Sequence, residues 1–347
     1  MYVPALLAVA EDVDAGGRDW VTALVTAYDV GCRLSWAMGM REVYGRGFHP
    51  TAICGSFGAV AGVASLLRLD APGVVNAFGL TGNQAAGLLT WETQAEHFTK
   101  SFQTGMAARN AVTAGELAAC GYIGPPDTFD GRYNVFDAFS TSRDFDELTQ
   151  TLGSRHEIEH TGFKFYTCCR AIHAALDILF DLVAEHRFTA ADVADIRVRL
   201  TAGIAPLVDG NPLTTHNLQY ILAVALVDGE VTQAQTAPDR RADPALGELA
   251  GRITLVHDPS LGTARKIVGP TQMTVRLRDG RIFEDGRDDP RGGTAHPATD
   301  QEIERKFRRL ARQALAAERA EQIIAEVRRL PELPSLRGVV ALATDHS

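Results

Sequence analysis

The sequence has little of what usually declares a function. Cysteine is sparse: five residues in 347, at positions 32, 54, 120, 168 and 169. An odd number at scattered spacings does not make a disulfide framework, and it suits a reducing compartment, so a cytoplasmic location is expected. No Cys-x-x-Cys pair occurs, which removes support for a zinc ribbon or a cubane iron–sulfur cluster. A Walker A loop is absent, and no Gly-x-Gly-x-x-Gly follows a strand, so nucleotide chemistry is disfavoured. Basic runs are absent too, and the formal net charge is -9. Neither nucleic acid nor an anionic membrane surface is therefore expected as a partner. No apolar run reaches the length of a membrane span. The first residues lack the basic region and cleavage site of a signal peptide.

What is present is a sizeable apolar content, 46% hydrophobic against 22% charged, in a length that suggests two domains. Residues 1–160 read as helical. Trp20 to Met40 is a long periodic apolar stretch, and Ser56 to Leu67 and Pro72 to Leu89 are rich in Ala, Gly and Leu. Such small residues allow close helix–helix approach, as in a bundle. Asp70 followed by Pro72 gives a capped start with proline in the first turn. Gly121 to Gly131 contains Gly-Pro-Pro and reads as a loop.

The character changes after Gly162. Cys169, Ile172, His173, Leu176, Phe180 and Val183 mark one face of a helix. Ile196 to Leu200 alternates as a half-buried strand does, and Leu218 to Val227 reads as a helix. Asp279-Gly280, between Thr274–Leu277 and Arg281–Phe283, is the strongest hairpin signal in the chain. Glu284 to Gly293 reads as a charged, Gly-rich loop. From 300 to 343 the chain is helical again, opened by Thr299 and Glu302 in capping-box spacing. The expected fold is mostly α with an α+β domain. A helical bundle domain takes residues 1–162 and 298–347, and a smaller α+β lid domain takes 163–297.

Two polar motifs stand ahead of small-residue helices. One is Gly47-Phe48-His49-Pro50-Thr51. The other, about fifty residues on, is His97-Phe98-Thr99-Lys100, ahead of a helix expected from Gly105 to Ala119. A helix N-terminus carries unpaired N–H groups and partial positive charge, and so attracts anions. An imidazole beside one such end and an ammonium beside another suit an anionic substrate that must gain or lose a proton. The plainer alternatives are a His49 that only caps the following helix and a Lys100 that is a solvated charge. Lys164, with Cys168, Cys169 and His173, lies where the second domain begins. Lys164 is a candidate to approach the substrate from the far side of a cleft. His173 sits on an apolar helical face, as a buried core histidine would. The cysteines read as small buried hydrophobes. Tyr220 is a candidate phenolic donor to the substrate.

Taken as a set, these stretches resemble the MmgE/PrpD family, which includes 2-methylcitrate dehydratase, cis-aconitate decarboxylase and iminodisuccinate epimerase. The resemblance is carried by 47–51, Gly-Asn-Gln-Ala-Ala-Gly-Leu at 82–88, and Thr-Lys-Ser-Phe-Gln-Thr-Gly-Met-Ala-Ala at 99–108. Further on it includes Gly-Tyr-Ile-Gly-Pro-Pro at 121–126, Phe-Tyr-Thr-Cys-Cys-Arg at 165–170 with His173, and Val-Ala-Leu-Val-Asp-Gly at 224–229. His-Pro-Ala-Thr-Asp-Gln-Glu-Ile-Glu-Arg-Lys-Phe completes it from His296 to Phe307.

The resemblance implies a helical domain, a lid domain inserted before the C-terminal helices, and a homodimer. It matches His49 to an active-site histidine and Lys100 to a substrate lysine. Thr99, Lys164, His173 and Tyr220 are then expected to bind substrate. The expected reaction is dehydration of a small di- or tricarboxylate such as 2-methylcitrate, with no metal and no cofactor. It starts with proton removal beside a carboxylate. Epimerisation, decarboxylation and a catalytically silent family remnant are the alternatives. Family members normally carry a further helical segment upstream, with an Asp- and His-containing motif, and none precedes Gly47. Either a separate chain supplies it, or the gene is shortened, or the protein is a remnant, and this chain alone is expected to be weakly active or inactive.

Overall fold

The computed structural model describes residues 1–95, 98–262 and 268–344. Among them are sixteen α-helices and one four-stranded sheet, so the fold is mostly α with an α+β part. The chain divides into two compact units. One comprises Met1–Trp91, Phe98–His160 and Asp300–Ser347; the other comprises Glu92–His97 and Thr161–Thr299. No helix among the described residues is long and apolar enough to cross a membrane.

The first unit contains α1 (Tyr2–Asp12), α2 (Gly17–Met38), α3 (Met40–Gly45), α4 (Pro50–Leu66), α5 (Ala71–Gly82) and α6 (Thr99–Ala119). The short α7 (Val135–Phe139) and α8 (Asp146–Thr149) follow. The long α4 is its axis. Fifteen of its residues are buried, leaving only Thr51 and Ser65 exposed to any extent. It is apolar almost all round, as a helix enclosed by other helices must be. Glycine is what lets them close in. A Cβ on Gly58 would stand 2.4 Å from the Ala27 carbonyl oxygen of α2, and one on Gly62 2.7 Å from that of Ala23. On the other flank, a Cβ on Gly115 of α6 would stand 2.4 Å from Val63 Cγ1. Asp70 caps α5 by accepting from the Gly73 N–H at 2.9 Å.

The second unit begins with α9 (His173–His186). Then come β1 (Val193–Thr201), α10 (Ala205–Val208), α11 (Leu218–Asp228), α12 (Pro238–Arg241), α13 (Pro244–Ala250), β2 (Ile253–Asp258), β3 (Thr271–Leu277) and β4 (Ile282–Arg287). The strand order is β2-β1-β3-β4, with β1 parallel to β2 and the other pairs antiparallel. Val193, Ile196, Val198 and Leu200 of β1 are buried, and they pack with Leu176 and Leu179 of α9 and Ile221 and Leu222 of α11. The Asp279-Gly280 turn joins β3 to β4. Gly280 has φ +90, and the Asp279 carboxylate accepts from the Arg281 N–H at 3.0 Å. Strand β4 extends to Arg287, so the first half of the expected Glu284 to Gly293 loop is strand. The chain closes with α14 (Asp300–Ala311), α15 (Ala317–Arg328) and α16 (Arg337–Thr344), which belong to the first unit.

Candidate active site

The site in the first unit is built by chain reversal. Gly47, at φ +80, turns the backbone into an extended stretch. Phe48 pairs with Leu88 as an antiparallel bridge. The His49 N–H donates to the Gly87 carbonyl at 3.0 Å, and the Leu89 N–H to that of Gly47 at 2.9 Å. Gly87 is required there. Its φ is +152, and a Cβ would meet that of Ala52 at 2.8 Å. Pro50, whose missing N–H costs nothing in a first turn, then starts α4.

His49 holds the N-cap position, yet its side chain makes no cap hydrogen bond. The imidazole turns instead to α6. Its Nδ1 lies 3.1 Å from Oε1 of Gln103, and Gln103 Nε2 donates to the Leu88 carbonyl at 2.7 Å. The capping reading of His49 is thereby replaced by a tertiary contact.

Trp91, 2% exposed, joins the two motifs. The His49 ring meets it edge-on with centroids 5.4 Å apart. Lys100 Nζ lies 4.4 Å from the centroid of the same indole. Burial pushes the His49 pKa down, the Lys100 ammonium pushes the same way, and the Gln103 hydrogen bond opposes; it falls to about 4. The ring is therefore neutral at pH 7. Helix α6 starts at Thr99, several residues ahead of the expected Gly105, so Lys100 stands in its first turn rather than before it. An ammonium beside a helix N-terminus adds to positive potential already there, which suits a carboxylate. Thr99 and Gln103 also line a cavity of about 400 Å³ with Gln84, Gly87, Phe102, Met106 and Asn110.

The second unit holds the other candidates. Lys164 Nζ donates to the Cys168 carbonyl at 3.2 Å. His173 is the first residue of α9 and is fully buried, with the Tyr166 ring edge-on at 5.1 Å. The Tyr166 hydroxyl donates to Asp177 at 2.7 Å. The Tyr220 hydroxyl donates to the Gln235 carbonyl at 2.7 Å and is buried, so its proton is committed to the backbone of its own unit. His49, Thr99 and Lys100 are thus brought together within one unit; Lys164, His173 and Tyr220 belong to the other. His97 lies outside the described residues. Burial pushes the thiol of Cys54 up to about 12 and that of Cys32 up to about 11, which leaves both as protonated packing groups. Among the described residues no group of three or more His, Cys, Asp or Glu side chains is placed to hold a metal.

Residues 1–148 match the family model of the MmgE/PrpD N-terminal domain, and residues 166–332 that of the MmgE/PrpD C-terminal domain. The chain belongs to the MmgE/PrpD family. The cis-aconitate decarboxylase-like protein oryM of Aspergillus oryzae is 30% identical, over 99% of this chain and 76% of its own length. A cis-aconitate decarboxylase of Aspergillus terreus is 24% identical over 99% of this chain and 75% of its own. A 2-methylcitrate dehydratase of Cupriavidus necator is 27% identical over 65% of this chain and 50% of its own. In this MmgE/PrpD chain, His49, Thr99 and Lys100 all lie within the N-terminal match.

Two residues that shape the site escaped the sequence reading. Trp91 lies in a short 3₁₀ turn, Leu89–Thr93, and no local pattern marks it. Gln103 did carry a signal: it stands three residues after Lys100 on one helix, and such residues are neighbours on the helix surface.

Proposed function

We propose that this chain is a lyase of small di- or tricarboxylates whose reaction begins with proton removal beside a carboxylate. The observation that carries this reading is a buried, neutral histidine sharing one indole with a lysine ammonium. A neutral imidazole is the form that takes a proton from carbon. Such a proton is acidic only when the charge of the neighbouring carboxylate is offset, and Lys100 at the head of α6 supplies the cation. Electrons from the broken C–H bond form the alkene as the β-hydroxyl leaves. The imidazolium returns its proton to that oxygen, which departs as water. The dehydratase names among the relatives support this reading. Decarboxylation is the second reading. It is favoured by the relatives that match over 93–99% of this chain, named as cis-aconitate decarboxylases or their like.

The test is incubation of the purified protein with 2-methylcitrate, citrate, cis-aconitate and iminodisuccinate, followed by proton NMR. Conversion of the methyl doublet of 2-methylcitrate into a singlet on an sp² carbon, or a new vinylic signal if the proton leaves from the CH₂, supports dehydration; loss of carbon dioxide from cis-aconitate supports the second reading. His49→Gln is expected to lower kcat by about 10²–10⁴. No turnover of any of the four, or full turnover by His49→Gln, overturns the proposal.

A further inference from the structure

We propose that Gln103 is a positioning residue that fixes the hydrogen of His49 on Nδ1 and so presents Nε2 as the basic nitrogen. This rests on the reading of His49 as the base. Gln103 Nε2 lies 2.7 Å from the carbonyl oxygen of Leu88. A backbone carbonyl has no hydrogen to give, so the amide NH₂ must face it. That turns the amide oxygen toward His49, 3.1 Å from Nδ1. An amide oxygen is likewise an acceptor only. Nδ1 must therefore be the donor, and in a neutral ring the lone pair is left on Nε2. Direction passes from the backbone to the amide and from the amide to the imidazole. The carbonyl that sets it is held in place by the pairing of 87–89 with 47–49, the segment that also carries His49.

The choice of an amide matters as much as its orientation. A carboxylate at position 103 would accept from Nδ1 through one oxygen while setting the other against the Leu88 carbonyl, and its charge would hold the imidazolium and raise the pKa. Among the described residues, the Lys100 charge reaches His49 and acts the opposite way. A neutral acceptor thus orients the ring without protonating it.

The experiment is long-range proton–nitrogen NMR on protein labelled with ¹⁵N-histidine, read without substrate. The His49 signals are assigned by their loss in His49→Gln. In the wild type at pH 7, Nδ1 is expected to be protonated and Nε2 bare. Gln103→Leu should admit the other tautomer and lower kcat about a hundredfold or more, with little change in KM. Gln103→Glu should keep the tautomer and move the acidic limb of kcat/KM to higher pH. It also serves as the informative variant if the leucine does not fold. A wild-type ring protonated on Nε2, or a tautomer unchanged in Gln103→Leu, overturns the inference. The expected tautomer with a fully active His49→Gln overturns the catalytic reading, and with it the use of Gln103. The wrong tautomer with an inactive His49→Gln overturns the inference alone.

Discussion

The two units solve packing in opposite ways. The helical unit brings backbones together through Gly31, Gly58 and Gly62 and buries alanine between them. The α+β unit keeps its elements apart and fills the space with Leu, Ile and Val on α9, α11 and β1. Where backbones touch, excess volume is what the structure cannot absorb. Where side chains fill, missing volume is. The histidine of the site stands on the end of α4, whose spacing from α2 is set by backbone contact, whereas α6, which carries Lys100, meets α4 where Gly115 faces the Val63 side chain.

The sharpest way to break this contrast is a paired substitution. Leu176→Ala, which empties a fully buried position in the second unit, is expected to cost about 2–5 kcal/mol. Gly58→Val should cost on the order of 1–3 kcal/mol or more, because its Cβ would already press on the Ala27 carbonyl at 2.4 Å. The reverse change in the first unit, Ala59→Gly, should cost only about 1 kcal/mol. Urea midpoints would decide. If Gly58→Val is tolerated, backbone contact does not set the helix spacing.

Acid probes the same unit next. The folded pKa of His49, about 4, lies below its unfolded value. Between the two, the unfolded chain binds the extra proton, so stability falls as pH drops from about 6.5 to about 4. The loss from this one group should be about 2 kcal/mol by pH 5. Urea titrations at pH 7 and pH 5 should show this portion missing in His49→Gln. An identical pH slope in both proteins would mean that His49 titrates normally in the folded state.

The smallest effect expected on stability is at Lys100. Its contact with Trp91 is worth about 0.5–1 kcal/mol, and its charge opposes the α6 dipole by a similar amount. Lys100→Met should therefore leave the melting temperature nearly unchanged while weakening substrate binding, read as a raised KM. A large drop in melting temperature would recast this lysine as structural.

The long helices and the hairpin were legible because their signals are local. Trp20 to Met40 gave α2 to within a few residues, the Asp70 cap gave α5, and Asp279-Gly280 gave the β3–β4 turn. Strand β2 carries no local signal: it is short, and its parallel pairing with β1 joins residues more than fifty positions apart. The sequence predicts α6 from Gly105, several residues late, because Phe98 offers no capping side chain. At the site, the residue types at 49, 99 and 100 could be read. What joins His49 to Gln103 and Trp91 could not, since it depends on the 83–93 segment folding back onto 47–49.

The Leu88 contact has a consequence for how this site can drift through evolution. Position 88 orients the glutamine amide with its carbonyl, which every amino acid carries, and its own side chain is half exposed. Its identity is therefore silent for the orientation of the amide, although its side chain also lines the cavity beside Thr99 and Gln103. The burden of inheritance falls on the neighbours instead: on Gly87, where even a methyl group collides, and on Gln103, where one atom changed for another would alter the acidity of the His49 imidazole. A lineage could exchange Leu88 and keep the orientation of the amide, whereas on the proposed role of His49 a single amide-to-carboxylate step at 103 would shift the working pH.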